Sequence, residues 1–530
     1  MLGSTLIIWN ESGMAVNRGI VYLVGAGPGD PGLLTRRGEA LLKVAEVVVY
    51  DHLASSRLLD LAPKTALLIC AGKSIGHNTM PQGAINELLV EHAKAGRTVV
   101  RLKGGDPYVF GRGAEEAEYL RDSGVAFQVV PGVTAAVGVT AYAGVPVTHR
   151  DASSAVAFVT GHNDPDASAS HGRLDWAALA SFPGTLVIYM GVTRLESICK
   201  TLVRLGKPAT TPAALVEAGT LPRQRTVSGT LADLHRRVAE EGLGPPALLV
   251  VGDVVSRRPA LRWFENLPLF GQRIVVTRPV GEAESSSAIL ESYGAEVLIA
   301  PTVEIQPLES YEELDRTIGR LAEFRWLVFT SANGVEGFLE RLNVLGRDVR
   351  ALGHLKLAAI GPATAGALGR FHLKADLVPR SFRSEDLAEA LGPVVGGGRV
   401  LLARADRGRT VLKDELEKIA DVEQVAVYRN TDADALPTAV AARIEQGSLD
   451  WITLTSSAIT ERLHSLLTES ARSRVGREIR LASLSPVTSE TARRLGWNVA
   501  AEAKVYTWGG LVDAIVEAVA TERTNTSAQP

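Results

Sequence analysis

The second half of this 530-residue chain repeats itself. The segment WLVFTSANGVEGFLERL begins at Trp326 and WITLTSSAITERLHSLL at Trp451, 125 positions later. LAAIGPATAGAL from Leu357 and LASLSPVTSETA from Leu481 are 124 apart; RIVVTRP from Arg273 and RVLLARA from Arg399 are 126 apart. Three matches at almost one offset constrain the fold more than any local propensity. They imply two similar α/β lobes of about 120 residues. In each, a strand ends in Thr-Ser and a helix follows. Thr330-Ser331 and Thr455-Ser456-Ser457 then fall at carboxyl ends of strands, where α/β sheets bind ligands. The same hydroxyls suit helix N-caps, but their paired recurrence points to a cleft between lobes.

Short β-branched runs alternate with helical patterns along the whole chain, as at Val47–Tyr50, Val99–Leu102, Leu186–Tyr189, Ala247–Val251 and Ile274–Thr277. This is an α/β signature, and the length calls for two or more domains. The stretch Ser256–Arg273, with Pro259 and Pro268, breaks the alternation between one apparent last strand and a new first one. The resulting division is an extension over 1–18, a first domain over 19–257, a linker over 258–270, a second domain over 271–520 and a flexible tail over 521–530.

Hydrophobic residues at 46% and charged residues at 22% are globular values, and a net charge of −3 gives no reason to invoke nucleic acid or an anionic membrane. The two cysteines, Cys70 and Cys199, form neither a ligand cluster nor a disulfide framework, which fits a reducing cytoplasm. No run approaches the ~20 apolar residues of a membrane span. The N-terminal segment lacks the basic region and long apolar core of a signal peptide, and Met14 is an alternative start. No metal-ligand motif appears, so no metal is expected.

The turn GAGPGDPGLLT, Gly25–Thr35, follows the strand-like run Ile20–Val24. It resembles a dinucleotide loop only in part: the third glycine position holds Asp30, and Pro28 has no N–H for a pyrophosphate. Two further glycine clusters, RLKGGDPYVFGRG from Arg101 and VVPGVTAA from Val129, also follow strand-like runs. Glycines there let backbone approach a flat ligand closely.

Together with VVVYDHL, AGKSIGHNTMPQ, AYAGVPVTHR, VTGH, TLVIYMG and ALVEAGTLPRQR, these motifs resemble the tetrapyrrole methylase family over about Gly19–Val255. Within that family, HNTMPQ at His77–Gln82 favours the uroporphyrinogen-III C-methyltransferase branch. The resemblance implies a fold of two α/β subdomains that holds S-adenosylmethionine between them. It implies donor-binding roles for Pro28, Gly104, Gly105, Asp106, Val109, Thr134, Ala135, Met190 and Gly219, with Asp51 as proton acceptor and Lys73 as proton donor. Methylation at a pyrrole carbon requires loss of a proton, so a carboxylate and a partly desolvated lysine suit the chemistry. Asp51 also reads as an exposed turn acid, and Lys73 as an ion-pairing lysine. Arg112, Arg150 and Arg223 are candidates to clamp substrate carboxylates. His77 receives no role. The family implies a homodimer through this domain.

VVTRP, VFTSANGV, AAIGPATAGAL, VAVYRN, TLTSSAIT and LSPVTSETARRLG make Gly271 to about Ala520 similar to uroporphyrinogen-III synthase. This implies a two-lobed fold, one lobe built from about Gly271–Thr302 plus Thr431 onward and the other from the middle, joined by two crossing strands. It implies cyclisation of hydroxymethylbilane to uroporphyrinogen III without a cofactor. Tyr428 would assist loss of the substrate hydroxyl, and Thr330, Ser331, Thr455, Ser457 and Thr488 would bind carboxylate arms. The combined expectation is a bifunctional enzyme that closes the tetrapyrrole and methylates it twice, giving precorrin-2 and stopping there. The alternative is a methylase for another tetrapyrrole carrying a non-catalytic binding module.

Overall fold

The computed structural model describes residues 8–9, 15–16, 19–72, 80–162, 174–380, 382–407 and 410–527. The chain forms two compact units, Met1–Gly271 with Tyr293–Glu296, and Gln272–Ser292 with Val297–Pro530.

In the first unit, β1 (Ile8–Trp9) and β2 (Ala15–Val16) pair antiparallel. Then β3 (Ile20–Gly25), β4 (Val47–Tyr50), β5 (Leu67–Cys70), β6 (Thr98–Lys103) and β7 (Ala126–Val130) form a parallel sheet in the order β5-β4-β6-β3-β7. Its strands are almost continuously apolar because both faces are covered. Val21, Leu23, Val47 and Val99 pack on the helices Gln82–Lys94 and Gly113–Asp122 through Ile85, Leu89, Ala117 and Leu120. Val24, Val48, Val100 and Leu102 meet Leu42 on the opposite face. A second sheet contains β8 (Val156–Thr160), β9 (Thr185–Tyr189), β10 (Pro212–Glu217), β11 (Arg225–Thr230) and β12 (Ala247–Val251) in the order β11-β10-β12-β9-β8. Here β8 and β9 are parallel, and the other pairs are antiparallel.

Residues 258–270, expected as a linker, are folded into this unit. Arg258 pairs with Glu265 at 2.5 Å, with side chains only 10% and 15% exposed. Glu265 also accepts from Gln224 at 2.9 Å and Thr226 at 2.7 Å. Trp263 and Phe264 set their rings edge-on to Tyr142, 5.0 and 4.8 Å between centroids. The two prolines read as punctuation, but Phe264 between them is buried, and its ring contacts together with the Arg258–Glu265 pair hold the segment on the unit.

The second unit contains β13 (Arg273–Val276), β14 (Glu296–Ile299), β15 (Val303–Gln306), β16 (Trp326–Phe329), β17 (Lys356–Ala359), β18 (Val400–Ala405), β19 (Val422–Asp432), β20 (Trp451–Leu454), β21 (Arg480–Ser483) and β22 (Ala501–Glu502). One sheet runs β14-β13-β20-β21-β22 and the other β15-β19-β18-β16-β17. The crossing pair is antiparallel, from Val303↔Asp432 to Gln306↔Arg429.

The sequence repeat and the lobe are different objects. By the offset, β13 matches β18, β16 matches β20, and β17 matches β21. Yet β13 lies beside β20, and β16 beside β18. Each repeat therefore gives its first two strands, β13 and β14 or β18 and β19, to one sheet and its later strands to the other. Both sheets are filled alike, one around Leu327, Phe329, Phe338 and Leu401, the other around Val275, Ile452, Leu454 and Leu481. No helix among the described residues is long and apolar enough to cross a membrane.

Candidate active sites

The glycine turn after β3 is committed to protein contacts. Ala26 N–H donates to Lys103 O at 2.8 Å, and Gly27 and Gly105 exchange backbone hydrogen bonds at 3.2 and 2.7 Å. Asp30 N–H donates to Thr220 Oγ1 at 3.0 Å, while the Asp30 carboxylate accepts from Gly32 N–H at 2.7 Å and Tyr142 O–H at 2.6 Å. These partners leave the turn unsuited to a pyrophosphate. The glycines serve close packing instead. A Cβ on Gly25 would lie 2.5 Å from Gly132 Cα, and one on Gly132 would lie 2.3 Å from Gly105 O. Three strand ends, those of β3, β6 and β7, thus meet backbone to backbone.

Around this meeting point the structure gathers the candidate donor-binding residues. Pro28 lies against Gly138, whose Cβ would approach Pro28 Cγ to 2.7 Å. Gly105 has φ +68°. Asp106 ties its own loop to the next, accepting from Tyr108 N–H at 2.8 Å and Gly132 N–H at 3.0 Å; Val109 N–H closes back on Asp106 O at 3.3 Å. Thr134 Oγ1 lies 2.6 Å from Tyr189 Oη, which also accepts from Ala136 N–H at 2.8 Å. Gly219 presses on Val139, 2.3 Å from a would-be Cβ to Cγ1. Ala135 opens the helix Ala135–Tyr142, and Gly104 abuts Leu53. Met190, 50% exposed, follows β9.

Phe110, Arg112, Met190, Ala218 and Thr220 all adopt φ between +48° and +69°. Such backbone is strained for side-chain-bearing residues and persists where surrounding structure over-determines it, often at ligand sites.

Asp51 stands at the carboxyl end of β4, its side chain 30% exposed. Arg101 Nη2 donates to Asp51 Oδ1 at 2.7 Å, and Arg101 Nε donates to Glu116 Oε1 at 3.2 Å. Lys103 and Gln82 reach the same Oε1 at 2.9 and 3.1 Å. Arg101 and Lys103 are 2% exposed and Glu116 0%. Burial, and secondarily the Arg101 charge, hold the Lys103 ammonium below its ordinary pKa, against the pull of Glu116. These three buried ions and Tyr189 are functional candidates that the sequence reading missed. The signal was present: Arg101 and Lys103, at alternate positions of the otherwise largely apolar strand Thr98–Lys103, share one face and need buried counter-charge.

Lys73 and His77 lie outside the described residues. The preceding Gly72 lies against His52, the neighbour of Asp51. Arg112 is engaged by Glu115 at 2.5 Å on the surface, and Arg150 and Arg223 are exposed.

In the second unit, Tyr428 Oη and Ser331 Oγ lie 3.0 Å apart. Ser331 Oγ also accepts from Gly334 N–H at 3.0 Å, capping the helix Ala332–Val344. Ser456 does the same for Ser457–Leu466 through Ile459 N–H at 3.3 Å. The cap reading therefore holds for both serines. Thr330 and Thr455 are half-buried at the strand ends before them. Ser457 Oγ accepts from Thr491 Oγ1 at 2.9 Å. Thr488 is 2% exposed, with Oγ1 3.0 Å from Ser485 Oγ, so it faces the interior of its own lobe. The synthase resemblance implied a carboxylate-binding hydroxyl here, but Thr488 is buried and the cap at this helix is Ser485.

Among the described residues, no group of three or more His, Cys, Asp or Glu could hold a metal ion.

Two families match the chain: Tetrapyrrole (Corrin/Porphyrin) Methylases over residues 20–235 and Uroporphyrinogen-III synthase HemD over residues 284–513. The chain is 37% identical to a porphyrin biosynthesis protein HemD of Ruminiclostridium josui, covering 84% of this chain and 88% of that protein. It is 41% identical to a uroporphyrinogen-III C-methyltransferase of Bacillus subtilis (strain 168), covering 64% and 69%. It is 52% identical to siroheme synthase 2 of Aeromonas hydrophila over 46% of this chain and 51% of that one, so it spans about half of that relative. Among solved structures, a uroporphyrin-III C-methyl transferase of Thermus thermophilus complexed with S-adenyl homocysteine is 44% identical, covers 45% of this chain and 99% of its own, and has a TM-score of 0.38. A mutant uroporphyrinogen III synthase of Thermus thermophilus is 18% identical, with 47% and 99% covered and a TM-score of 0.37.

Proposed function

We propose, since this chain belongs both to the tetrapyrrole methylases and to the HemD uroporphyrinogen-III synthases, that its two units carry out consecutive steps on one tetrapyrrole. The second unit cyclises hydroxymethylbilane to uroporphyrinogen III with inversion of the last ring. The first unit methylates that product twice, giving precorrin-2. The observation that carries this is the presence of both families on one chain, because the product of the synthase is the substrate of the methylase. Covalent linkage keeps a labile intermediate at high local concentration.

The methyl donor in this reading is S-adenosylmethionine, which supplies an electrophilic methyl on sulfonium. The cradle of Pro28, Gly104–Asp106, Val109, Thr134, Ala135, Met190 and Gly219 would hold it. Asp51 takes the proton released from the methylated carbon, and Lys73 returns one to the macrocycle. Arg101 keeps the Asp51 carboxylate aimed through its 2.7 Å hydrogen bond. In the second unit, Tyr428 hydrogen-bonds the departing hydroxyl of the bilane, and the strand-end hydroxyls Thr330, Ser331, Thr455 and Ser457 receive carboxylate arms. A folded substrate held this way closes at the inverted ring rather than to the symmetric isomer. The reading includes a cytoplasmic location, with both cysteines unpaired, no resident metal and pairing of two copies through the first unit, which light scattering would test.

The deciding experiment supplies purified chain with hydroxymethylbilane and methyl-labelled S-adenosylmethionine, and resolves the products by mass and isomer. Doubly methylated type III product is expected. Type I macrocycle, with methylation appearing only after uroporphyrinogen III is added, would remove the synthase half of the proposal. Unlabelled type III product would remove the methylase half.

A further inference from the structure

We infer that Arg278 and Arg404 are a repeat-related pair of carboxylate-binding residues, each forming an anion site with the Thr-Ser pair on the strand beside it. The inference rests on the synthase reading above and specifies how that unit grips the acidic arms of its substrate.

The two arginines are equivalent in the repeat, 126 positions apart like Arg273 and Arg399. Strand register then places each beside a threonine. Phe329 pairs with Ala403, so the next step along the parallel ladder sets Thr330 beside Arg404. The last pair of the neighbouring ladder is Val276 with Thr453, and continuing that register past the strand ends brings Arg278 opposite Thr455. Because the repeats are exchanged between sheets, each site takes its arginine from one repeat and its Thr-Ser from the other. The two sites thus have the same construction on the two lobes.

Each arginine is held in place. Arg278 donates to Ser286 Oγ at 2.9 Å and lies 5.5 Å over the Trp508 ring. Arg404 is 9% exposed in a strand buried along its length. A bulge between Arg404 and Ala405 shifts the register so that Ala405 faces Tyr428, and bulges re-aim side chains beside active sites. Burial pulls the Arg404 guanidinium below its ordinary pKa, partly offset by the Tyr428 phenol. A desolvated guanidinium gains strongly from a carboxylate, whose two oxygens match its planar fork. The helices capped by Ser331 and Ser456 start at the same strand ends and turn their N-terminal partial charge toward an anion there. The sites differ in one respect: Ser331 lies 3.0 Å from Tyr428. The Arg404 site therefore holds an arm near the departing hydroxyl, and the Arg278 site a more distant arm.

The test uses the full chain and measures type III isomer formed from hydroxymethylbilane by wild type, Arg278→Gln, Arg278→Lys, Arg404→Gln and Arg404→Lys. Loss of one charged hydrogen-bonded contact predicts a KM about tenfold or more higher in each Gln variant. Arg278→Gln should keep kcat within about threefold, Arg404→Gln should lower kcat as well, and each Lys variant should recover part of the loss. If Arg404→Gln unfolds, as circular dichroism would reveal, the half-exposed Arg278 variants decide. A KM within about twofold of wild type in both folded Gln variants overturns the inference while wild-type type III product keeps the synthase reading standing. Only type I product from wild type would end both.

Discussion

Arg101 Nη2 sits 2.7 Å from Asp51 Oδ1 and links that half-exposed acid to a buried chain of alternating charge ending at Lys103. Asp51 is the only member of the chain with substantial exposure, so it alone can exchange a proton with a ligand. Asp51→Asn keeps the shape and the hydrogen bond but cannot accept a proton. Methylation of uroporphyrinogen III is expected to fall about 10²-fold or more, with S-adenosylmethionine affinity unchanged by calorimetry. Turnover within a few-fold of wild type would show that Asp51 is not the base.

Glu116 gathers three donors on Oε1, and its Oε2 is buried with no hydrogen-bond partner among the described residues. Glu116→Gln leaves Arg101 and Lys103 adjacent in the interior without their shared counter-charge. A destabilisation of about 3–5 kcal/mol is expected, read as an earlier urea transition for the first unit with the second unit's transition in place.

Gly132 and Gly83 give opposite outcomes for the same substitution. A Cβ on Gly132 would meet Gly105 O at 2.3 Å and Gly25 Cα at 2.7 Å, both backbone atoms. Gly132→Ala is expected to cost about 1–3 kcal/mol and to weaken donor binding in calorimetry. A Cβ on Gly83, in the helix Gln82–Lys94, has nothing within 4 Å. Gly83→Ala should stabilise by about 0.5–1 kcal/mol and leave donor binding unchanged.

Ser331 serves a helix and a tyrosine at once. Ser331→Ala should lower stability by about 1 kcal/mol. Tyr428→Phe should slow type III formation and lower stability by about 0.5–1.5 kcal/mol. In a double-mutant cycle on stability the pair should couple by about 0.5–1.5 kcal/mol; zero coupling would show that the 3.0 Å contact is not a hydrogen bond in solution.

Asp233 supplies a pH signature. The Thr230 N–H and hydroxyl and the Arg237 guanidinium lower its pKa to about 2 from an ordinary 3.8, against desolvation. The folded form thus favours the carboxylate. Its stabilisation is fully present above about pH 4 and is lost as pH falls toward 2. Wild type should lose about 1–2 kcal/mol more than Asp233→Asn over that window, measured as the difference in their thermal midpoints against pH.

Much of the architecture was legible. Runs such as Val47–Tyr50 and Ala247–Val251 became strands because their apolar continuity demands burial on both faces. Pro28 and Asp30 argued against a pyrophosphate loop on sequence alone, and amides around them are bound to Lys103, Gly105 and Thr220. The segment 258–270 was misread because its prolines are local signals, whereas the packing of Trp263 and Phe264 on Tyr142 is not.

The sequence by itself determined the repeat, the strand ends carrying Thr-Ser and Gly-rich turns, and the residue types available there, because periodicity and backbone preference are properties of neighbours along the chain. Only the tertiary structure decided that the repeats exchange strands, that Arg101 joins Asp51 to Glu116, and that β13 and β18 each run beside a Thr-Ser strand of the other repeat. Those relationships depend on register between segments scores of residues apart, and a register is fixed by the burial of whole sheets rather than by any short stretch of sequence.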